Sequence, residues 1–584
     1  MANFNGYGQA AEVVLSSFGG LNRTGPLCGA GHCFELRNLR PMADGTLVRR
    51  EGYKSLISMD AQVRGVFYIE RNGLPEAYAA AGDAVYYLEV KDGQCTPHLL
   101  GKLGNDQGEV RFFCYDRKLL MLDGREIWEL TPDQLCTMQA YIPLYGNGWN
   151  NMDNGARTVY EPPNNLSDKL RIRFCLASQT HNYEFGEIPV SSVDCVWVNG
   201  KIYEGIQTYD ADTRTMHLNN AVNAGAIVET LVTVEEDFCG GRALIAGAKH
   251  VASIGHAEDE RLLFYGGSVM SGSVCMSRKV ESAERELVCK INSDICMLYV
   301  SEQDALTLGD GLHAVTGACR HYDRSLIFTE NATWMADGTI SESGKLLLIP
   351  INTTLGCSSE GACGVVGNEP ITLMNGRVLR WNSKTDERNE CNAEVISHAI
   401  EPLLSQGADK NIALFVDVRR GDVWFYTPGK SGRILIRDEQ NECWTSFDGF
   451  TPQGIFAFGD RVGFYEGQAV FVFDADEYCD TAADGEQHGI KAELLTGFLD
   501  FGHTGRVKRV VGATVSASCG RQRTQLVLRH VSGRERMISM QGNGDELSVM
   551  QARADSGRFR YLRIGLRCSD VGPWHLHGVR LAVR

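Results

Sequence analysis

The sequence predicts an all-β protein built around a β-propeller of six or seven irregularly spaced blades. One short pattern keeps recurring: a β-rich run, a polar turn, an arginine or lysine followed by apolar residues, another turn, and a run with an aromatic residue. Examples are Arg261 to Tyr265, Arg377 to Trp381 and Arg461 to Tyr465. Units this short cannot bury a face alone, so they must stack on one another, and ring closure hides their strand edges. The alternative is a set of unrelated β-hairpins in sandwich domains, because no WD-type signature accompanies the repeats.

The blade pattern divides the chain into segments. A run rich in Gly, Asn and Pro at 145–165 interrupts the pattern, and the strands that follow it have a different character. Loops on the faces of a propeller are solvent-exposed and accept such insertions. In chain order we predict an N-terminal arm at 1–55, the first propeller blades at 56–150, an inserted β-sandwich at 151–236, the remaining propeller blades at 237–485 and a basic C-terminal β-sandwich at 486–584.

Two shorter features lie between these segments. Apolar residues at spacing four from Asn392 to Ser405 predict a helix with one apolar stripe. A polar run through Asp474, Asp476 and Asp480 predicts a solvated linker. The spacing of these carboxylates excludes an EF-hand loop, because no glycine stands at the sixth position and no glutamate at the twelfth.

Length and composition indicate an ordinary globular protein of several domains. A chain of 584 residues is too long for one hydrophobic core, and its apolar fraction of 43% and charged fraction of 22% are not those of a disordered chain. No run approaches the roughly 18 apolar residues of a membrane span. Met1 to Leu15 lacks the basic and apolar regions of a secretion signal, so we expect assembly in the cytoplasm where the chain is made.

Cysteines are numerous but do not form a metal or disulfide pattern. The 19 cysteines are scattered singly, and an odd number without an export signal predicts reduced, mostly buried thiols. Cys28, His32 and Cys33 resemble half of a zinc site but lack the second ligand pair that structural zinc requires. We therefore predict no metal and no cofactor.

Charge is distributed unevenly along the chain. From Lys491 to Arg584 there are 16 Lys and Arg and 7 Asp and Glu, a net +9, so the total of −16 leaves −25 on residues 1–490. This excess can be the solvent face of a sheet, a nucleic-acid contact or a docking surface for an acidic protein. We favour protein docking because few aromatic residues are interleaved with the arginines. The candidate assembly surface comprises Arg506, Lys508, Arg509, Arg521 and Arg523.

The sequence carries no recognisable catalytic constellation. It contains no GxSxG elbow, no HExxH, no Walker loop and no Rossmann glycine fingerprint after a strand, so we predict no catalytic residues and no enzymatic activity. The alternative is a propeller that binds or cleaves a host glycan, with carboxylates from different blades and with Tyr145, Trp149 and Tyr160 as stacking platforms.

Several runs resemble β-propeller virion proteins of tailed bacteriophages. The opening "FGGLNRTG" and the hairpin "FELRNLRPMADGTLVRREGY" (34–53) are similar to the start of these proteins. Blade-like runs at 260–277, 355–383 and 433–447 are similar to their blades, and 497–517 and 560–583 resemble their closing sandwich. The insert at 151–236 has no counterpart that we can name.

The resemblance implies a structural component of the virion, in the tail, nozzle or neck. Proteins of this kind, which include the tail nozzle proteins of short-tailed phages, form homo-oligomeric rings that are often sixfold around the DNA channel. The expected partners are other copies of the chain, neighbouring tail or neck proteins, and the genomic DNA as a passive contact in the channel. The expected location is the virion, assembled in the cytoplasm of the host bacterium.

Overall fold

The computed structural model describes residues 11–29, 31–91, 94–147, 160–176, 178–235, 238–254, 260–322, 324–340, 346–382, 393–406 and 411–584. Two compact units are present: unit 1 is Met1–Leu99, Phe328–Thr333 and Pro350–Arg584, and unit 2 is Leu100–Ile327 and Trp334–Ile349. The predicted fold class is confirmed, because the chain is an all-β propeller protein with two β-sandwiches. Its described helices are short, and none is long and apolar enough to cross a membrane.

Five strands precede the first blade, and eight strands form the first two blade sheets. The first five are β1 (Ala11–Leu15), β2 (Cys33–Arg37), β3 (Leu39–Pro41), β4 (Leu47–Arg49) and β5 (Gly52–Ser58). The blade sheets are β6 (Val63–Arg71), β7 (Leu74–Ala81), β8 (Ala84–Lys91) and β9 (Gln94–Lys102), then β10 (Arg111–Tyr115), β11 (Lys118–Leu122), β12 (Ile127–Thr131) and β13 (Gln134–Thr137).

The inserted sandwich follows, and after it two further blade sheets. The sandwich strands are β14 (Leu144–Asn147), β15 (Lys169–Cys175), β16 (Thr180–Glu184), β17 (Val190–Val198), β18 (Lys201–Ile202), β19 (Gln207–Asp210), β20 (Thr215–Val222) and β21 (Ile227–Val234). The next elements are α1 (Arg242–Ala246), β22 (His250–Ile254), β23 (Arg261–Tyr265), β24 (Ser273–Met276), α2 (Ser282–Ile291), β25 (Ala305–Thr307), β26 (Val315–His321), β27 (Arg324–Thr329), β28 (Thr333–Ile340) and β29 (Leu346–Asn352).

Three more blade sheets and the C-terminal sandwich complete the chain. The blade elements are β30 (Cys363–Val366), β31 (Glu369–Met374), β32 (Arg377–Trp381), β33 (Ala393–Val395), α3 (Glu401–Gln406), β34 (Ala413–Asp417), β35 (Asp422–Tyr426), β36 (Ile434–Asp438), β37 (Cys443–Phe447), β38 (Gly454–Phe458), β39 (Arg461–Glu466) and β40 (Ala469–Asp474). The last strands are β41 (Cys479–Thr481), β42 (Gln487–Gly489), β43 (Ala492–Thr496), β44 (Val510–Ser518), β45 (Arg523–His530), β46 (Glu535–Gln541), β47 (Ser548–Arg553), β48 (Leu562–Cys568) and β49 (His575–Val583).

Tight Asn-Gly turns connect neighbouring strands within the blades. Asn72 and Gly73 between β6 and β7 have φ of 54° and 76°, and Asn375 and Gly376 between β31 and β32 have φ of 48° and 75°. Positive φ at both central residues is the geometry of the two-residue turn that matches the twist of paired strands. The local sequence therefore determines where these hairpins reverse.

In unit 1, strands from the N-terminal segment join a blade to the C-terminal sandwich. Strand β2 pairs with β37 of the blade β34–β37 on one side and with β43 on the other. The result is one nine-stranded sheet in the order β34-β35-β36-β37-β2-β43-β48-β45-β46. The facing sheet of the sandwich takes β1, β3 and β4 from the same segment, and β5 completes the blade β38–β40.

In unit 2, the blades on either side of the inserted sandwich pack directly together. Phe113 of β10 contacts Phe264 of β23 edge-on, with ring centroids 6.1 Å apart, within one buried cluster. The insert has a separate core around Ile172, Tyr183 and Val232. Its first long strand and its last pair with each other in antiparallel register, so the chain leaves the insert close to where it enters.

The structure corrects the helix predicted from Asn392 to Ser405. Asn392 lies outside the described residues, Ala393–Val395 is strand β33, and the helix spans only Glu401–Gln406. A helix over the whole stretch would place Pro402 in its interior, where the missing N–H and the ring clash cost about 3 kcal/mol. Beginning the helix at Glu401 instead puts Pro402 in the first turn, where it is tolerated.

His250 makes the blade β22–β25 sensitive to acid. Burial, with Arg111 and Lys249 adding to it, lowers the pKa of His250 from 6.5 to about 3. Below pH 6.5 the unfolded chain binds a proton that the folded chain does not take up until pH about 3, so stability falls as the pH drops through this window. We expect His250→Phe, which keeps a ring against Tyr265, to remove about 1–2 kcal/mol of the stability loss between pH 7 and pH 5.

Thermal melting of the wild-type chain and the variant at both pH values measures this difference. His488→Phe is the matched control, because the His488 side chain is 57% exposed. An equal acid-induced drop in the melting temperature of wild type and His250→Phe would rule out this role for His250.

Candidate functional site

Four of the five residues predicted for the assembly surface are exposed. Arg506, Arg509, Arg521 and Arg523 all lie at the surface. Arg509 is paired with Asp555 through Nε to Oδ1 at 2.7 Å and Nη2 to Oδ2 at 2.5 Å, which lowers the pKa of Asp555 to about 2. Arg509 therefore already has an acidic partner within its own domain.

Lys508 does not belong to this surface, which corrects its inclusion. Its side chain points inward, so that only 4% of the residue is exposed. Its Nζ donates to the carbonyl oxygens of His503 and Arg506, and burial lowers its pKa. The alternation of a β-strand places Lys508 on the opposite face from its neighbour Arg509.

The remaining residues form two groups rather than one patch. Arg506 and Arg509 precede strand β44, and Arg521 and Arg523 follow it. A strand of nine residues spans about 30 Å, so the two groups lie at opposite ends of β44. A partner that contacted both groups would have to cover the length of the sandwich.

The other groups singled out in the sequence are paired with separate residues of unit 1. Asp474 pairs with Lys54 at 2.8 Å, and Asp480 pairs with Arg50 at 2.6 Å, so these carboxylates do not converge on one site. Cys28 Sγ donates to the carbonyl of His32 at 3.8 Å. Within the described part of the chain, no group of three or more His, Cys, Asp or Glu side chains could hold a metal ion.

The aromatic residues considered for glycan stacking have different environments. Tyr145 packs edge-on against Phe238, with centroids 5.7 Å apart, at the core of the insert. Tyr160 is 45% exposed, and Trp149 lies outside the described residues. Tyr145 therefore packs against the core of the insert, whereas Tyr160 is largely exposed.

The most unusual charged site in unit 1 is one that sequence reasoning missed. We call it the arginine cluster and define it as Arg23, Arg37, Arg433 and Arg563 with Glu35 and Phe34. Strand β2 carries Phe34, Glu35 and Arg37. Arg433 directly precedes β36, Arg563 lies on β48, and Arg23 lies in the loop before β2. The cluster thus sits where β2 joins the blade to the C-terminal sandwich.

Glu35 accepts hydrogen bonds from two arginines of the cluster. Arg23 Nη2 donates to Oε2 and Arg433 Nη2 donates to Oε1, while Arg37 Nη2 lies 3.8 Å from Oε1 and its Nη1 lies 3.3 Å from Asp448 Oδ2. Burial lowers the pKa of Arg23, and Arg433 and Arg37 lower it further against the opposing effect of Glu35. The three arginines therefore repel one another around Glu35, and Arg37 has Asp448 as a second counter-charge.

Cation–π stacking on Phe34 joins Arg563 to the rest of the cluster. The Arg563 guanidinium lies 3.6 Å from the ring centroid of Phe34 and 4.2 Å from that of Phe498, and the guanidinium of Arg23 lies 4.0 Å from the Phe34 centroid. Arg563 is only 6% exposed. Cation–π contact of this kind compensates part of the cost of burying a cation.

A cavity of about 530 Å³ opens beside the cluster, lined by Arg23, Phe34, Pro402, Leu403, Arg433 and Leu435. Two arginines therefore line the cavity together with four apolar or aromatic residues. No local sequence motif revealed this site, because its residues are far apart in sequence, from Arg23 near the start of the chain to Arg563 near its end. The available signal was that each of the four arginines lies in one of the runs that carry the phage resemblance.

No family model matches the chain, and no curated protein matches it in sequence. Among solved structures, it is similar to a chain of a mitotic checkpoint complex, with 9% identity, a TM-score of 0.30 and coverage of 73% of this chain and 93% of that one. An exo-β-1,3-galactanase from Phanerochaete chrysosporium is 8% identical with a TM-score of 0.22, and the match covers 57% of this chain and 95% of that one. PorZ of the Porphyromonas gingivalis type-IX secretion system is 12% identical with a TM-score of 0.22, and the match covers 76% of this chain and 57% of that one. Likenesses this weak carry no argument about function.

Proposed function

We propose that the chain is a non-enzymatic structural component of a tailed-phage virion that works by protein–protein assembly. The proposal rests on the resemblance of runs such as 18–25, 34–53 and 433–447 to propeller virion proteins. Its place is the tail, nozzle or neck, in a ring of copies around the DNA channel. The chain is assembled in the cytoplasm of the host bacterium and then resides in the virion.

The single structural observation that best supports this proposal is the nine-stranded sheet of unit 1. Because β2 is hydrogen-bonded to β37 and to β43, the blade and the C-terminal sandwich cannot separate along this sheet without breaking backbone pairing of β2. Backbone pairing on both sides of a strand resists shear better than a side-chain contact between domains, which usually permits relative motion. A rigid connection of this kind suits a component that holds its neighbours in a fixed position.

The charge distribution supports contacts between copies or with neighbouring tail proteins. The C-terminal region carries +9 and the rest of the chain −25, which sum to the chain total of −16. Opposite charges on a rim mainly guide association and set its register, and each exposed pair contributes about 0–1 kcal/mol. A head-to-tail contact between the basic end of one copy and the acidic body of the next is the kind of contact that forms a ring when the rotation between copies closes.

Location in particles tests the proposal. Antibodies against the purified chain are applied to gradient-purified phage particles from a culture that encodes it, and labelling is followed by electron microscopy with a major capsid protein as the positive control. We expect label at the tail or neck. The proposal fails if the chain is absent from purified particles, and release of reducing sugar from host polysaccharide by the purified chain would favour the glycan alternative.

A further inference from the structure

We propose that the arginine cluster is a binding site for a carboxylate carried on a short apolar body, seated in the cavity between Arg23 and Arg433. The inference does not depend on the virion role, because it rests on the charge, hydrogen bonding and shape of this one site. Every residue involved belongs to unit 1.

The charge balance of the cluster calls for an anion. Arg23, Arg37, Arg433 and Arg563 bring four positive charges, and the paired carboxylates are Glu35 and Asp448, which leaves two positive charges uncompensated. Arg563 has no carboxylate within ion-pair distance among the described residues. Buried or half-buried charges without a counter-charge are strongly destabilising. A water molecule satisfies a donor but not a charge, whereas an anion satisfies both.

Several buried hydrogen-bond donors of the cluster have no partner in the protein, which adds to its excess of positive charge. Buried N–H groups at Arg23 Nε, Arg37 Nε, Arg433 Nη1 and Arg563 Nε have no acceptor among the protein atoms that the structure describes. Buried donors are almost always paired in folded proteins, so several unpaired donors in one cluster need an explanation. A carboxylate in the cavity would contact the accessible part of the Arg23 and Arg433 side chains, which are 19% and 23% exposed.

The apolar walls decide between a carboxylate and an inorganic anion. Phe34, Pro402, Leu403 and Leu435 form the rest of the lining, and they offer no donor to replace the hydration of a phosphate or sulfate. They do offer a surface for a few methylene groups, each of which contributes about 0.8 kcal/mol when buried. Two arginines and an apolar wall therefore match an organic carboxylate, which is either a free molecule or an acidic side chain of another protein.

Binding of hexanoate to the full chain is the direct test. Isothermal titration and thermal melting are carried out with hexanoate, with hexanamide as the neutral analogue of the same shape, and with inorganic phosphate. We expect saturable binding and a raised melting temperature with hexanoate only. Equal effects of hexanamide would show an apolar pocket without anion recognition, and tighter binding of phosphate would show a simple phosphate site. Either result, or no saturable effect of hexanoate, overturns the proposal.

Two variants localise the binding to this cavity. Arg433→Gln removes one of the two arginines that line the cavity, while Arg23 still pairs with Glu35. We expect hexanoate to bind at least about tenfold more weakly, equivalent to about 1.4 kcal/mol. Leu403→Trp fills the cavity without changing a charge and should abolish hexanoate binding. This second variant tests the site even if the Arg433→Gln chain does not fold. Unchanged affinity in a folded Arg433→Gln or Leu403→Trp chain overturns the assignment.

Matched controls separate the site from general effects of charge and bulk. Arg420→Gln removes an arginine that pairs with Glu51 at 2.6 Å, away from the cavity, and changes the net charge equally. Val418→Trp introduces the same side chain at a position that is 83% exposed. We expect both controls to bind hexanoate as the wild type does, and weakened binding in Arg420→Gln would mean that overall charge, not the cluster, determines affinity.

The effect of hexanoate on self-association of the chain distinguishes the two possible sources of the carboxylate. Sedimentation of the chain is measured with and without saturating hexanoate. Dissociation of oligomers by hexanoate would show that the site receives an acidic side chain of another copy. Hexanoate binding that leaves the association state unchanged would show that the site receives a free organic carboxylate. Both results support the site and differ only in the ligand's origin.

Discussion

Replacing Arg171 by alanine is expected to destabilise the attachment of the inserted sandwich by about 3–5 kcal/mol. The Arg171 side chain is fully buried on β15, with no exposed surface. Its Nη1 donates to Glu229 Oε1 at 3.2 Å, its Nη2 donates to Glu284 Oε2, and its Nε donates to the carbonyl of Ile142 at 3.2 Å. One guanidinium thus connects β21 of the insert, α2 and the chain entering the insert. Its truncation removes the arginine partner of Glu284, leaves Glu229 with Arg173 alone and opens a cavity.

Amide hydrogen exchange measures the loss of stability in the strands that Arg171 connects. Amides of β15 and β21 in the Arg171→Ala chain should exchange more than about a hundredfold faster, the equivalent of about 3 kcal/mol. Arg173→Ala is the matched control, because Arg173 is 26% exposed, lies two residues along the same strand and pairs with the same Glu229 at 3.0 Å. We expect the control to cost about 1 kcal/mol or less. Similar exchange in the two variants would show that burial does not strengthen the Arg171 network.

The repeating blades were predictable because their information is local. Each hairpin carries its own apolar runs and its own turn, as at Asn375 and Gly376, and neither depends on distant residues. The same reasoning located the strands on both sides of the insert. The pattern of apolar runs therefore predicted the all-β propeller class, which the structure confirms.

Pairings between distant parts of the chain were not predictable in this way. Arg37 pairs with Ser446, and Leu36 pairs with Leu494, so β2 gains its partners from residues more than 400 positions away. Nothing in the composition of a five-residue strand specifies which edge it joins. The arginine cluster depends on these same pairings, which is why its four arginines could not be grouped from the sequence.

Asp480 shows the same limitation at a single residue. The polar run through Asp474, Asp476 and Asp480 predicted a solvated linker, but Asp480 lies in strand β41 and is buried. Its partner Arg50 is more than 400 residues away in sequence. Burial of an acidic residue usually requires such a partner, and only the tertiary structure supplies it.

Replacing Asp480 by alanine is expected to destabilise unit 1 by about 3–5 kcal/mol, because it leaves a buried guanidinium without its counter-charge. The Arg50 side chain is 1% exposed, and it contacts both Asp480 oxygens, at 2.8 and 2.6 Å. The same guanidinium donates to Asn38 Oδ1 at 3.0 Å and to the carbonyl of Asp448 at 3.1 Å. Arg50 thus connects the N-terminal segment to the start of the C-terminal region.

Exchange of the amides in β5 and β41 measures this effect, and we expect it to rise more than about a hundredfold in the Asp480→Ala chain. Asp476→Ala, at an exposed position four residues earlier, is the control and should change exchange little. The double variant Arg50→Met with Asp480→Ala should recover part of the loss, because replacing both members of a buried pair by apolar groups costs less than removing one. Greater destabilisation in the double variant than in Asp480→Ala would mean that the hydrogen bonds of Arg50 to Asn38 and Asp448, rather than the ion pair, dominate its contribution.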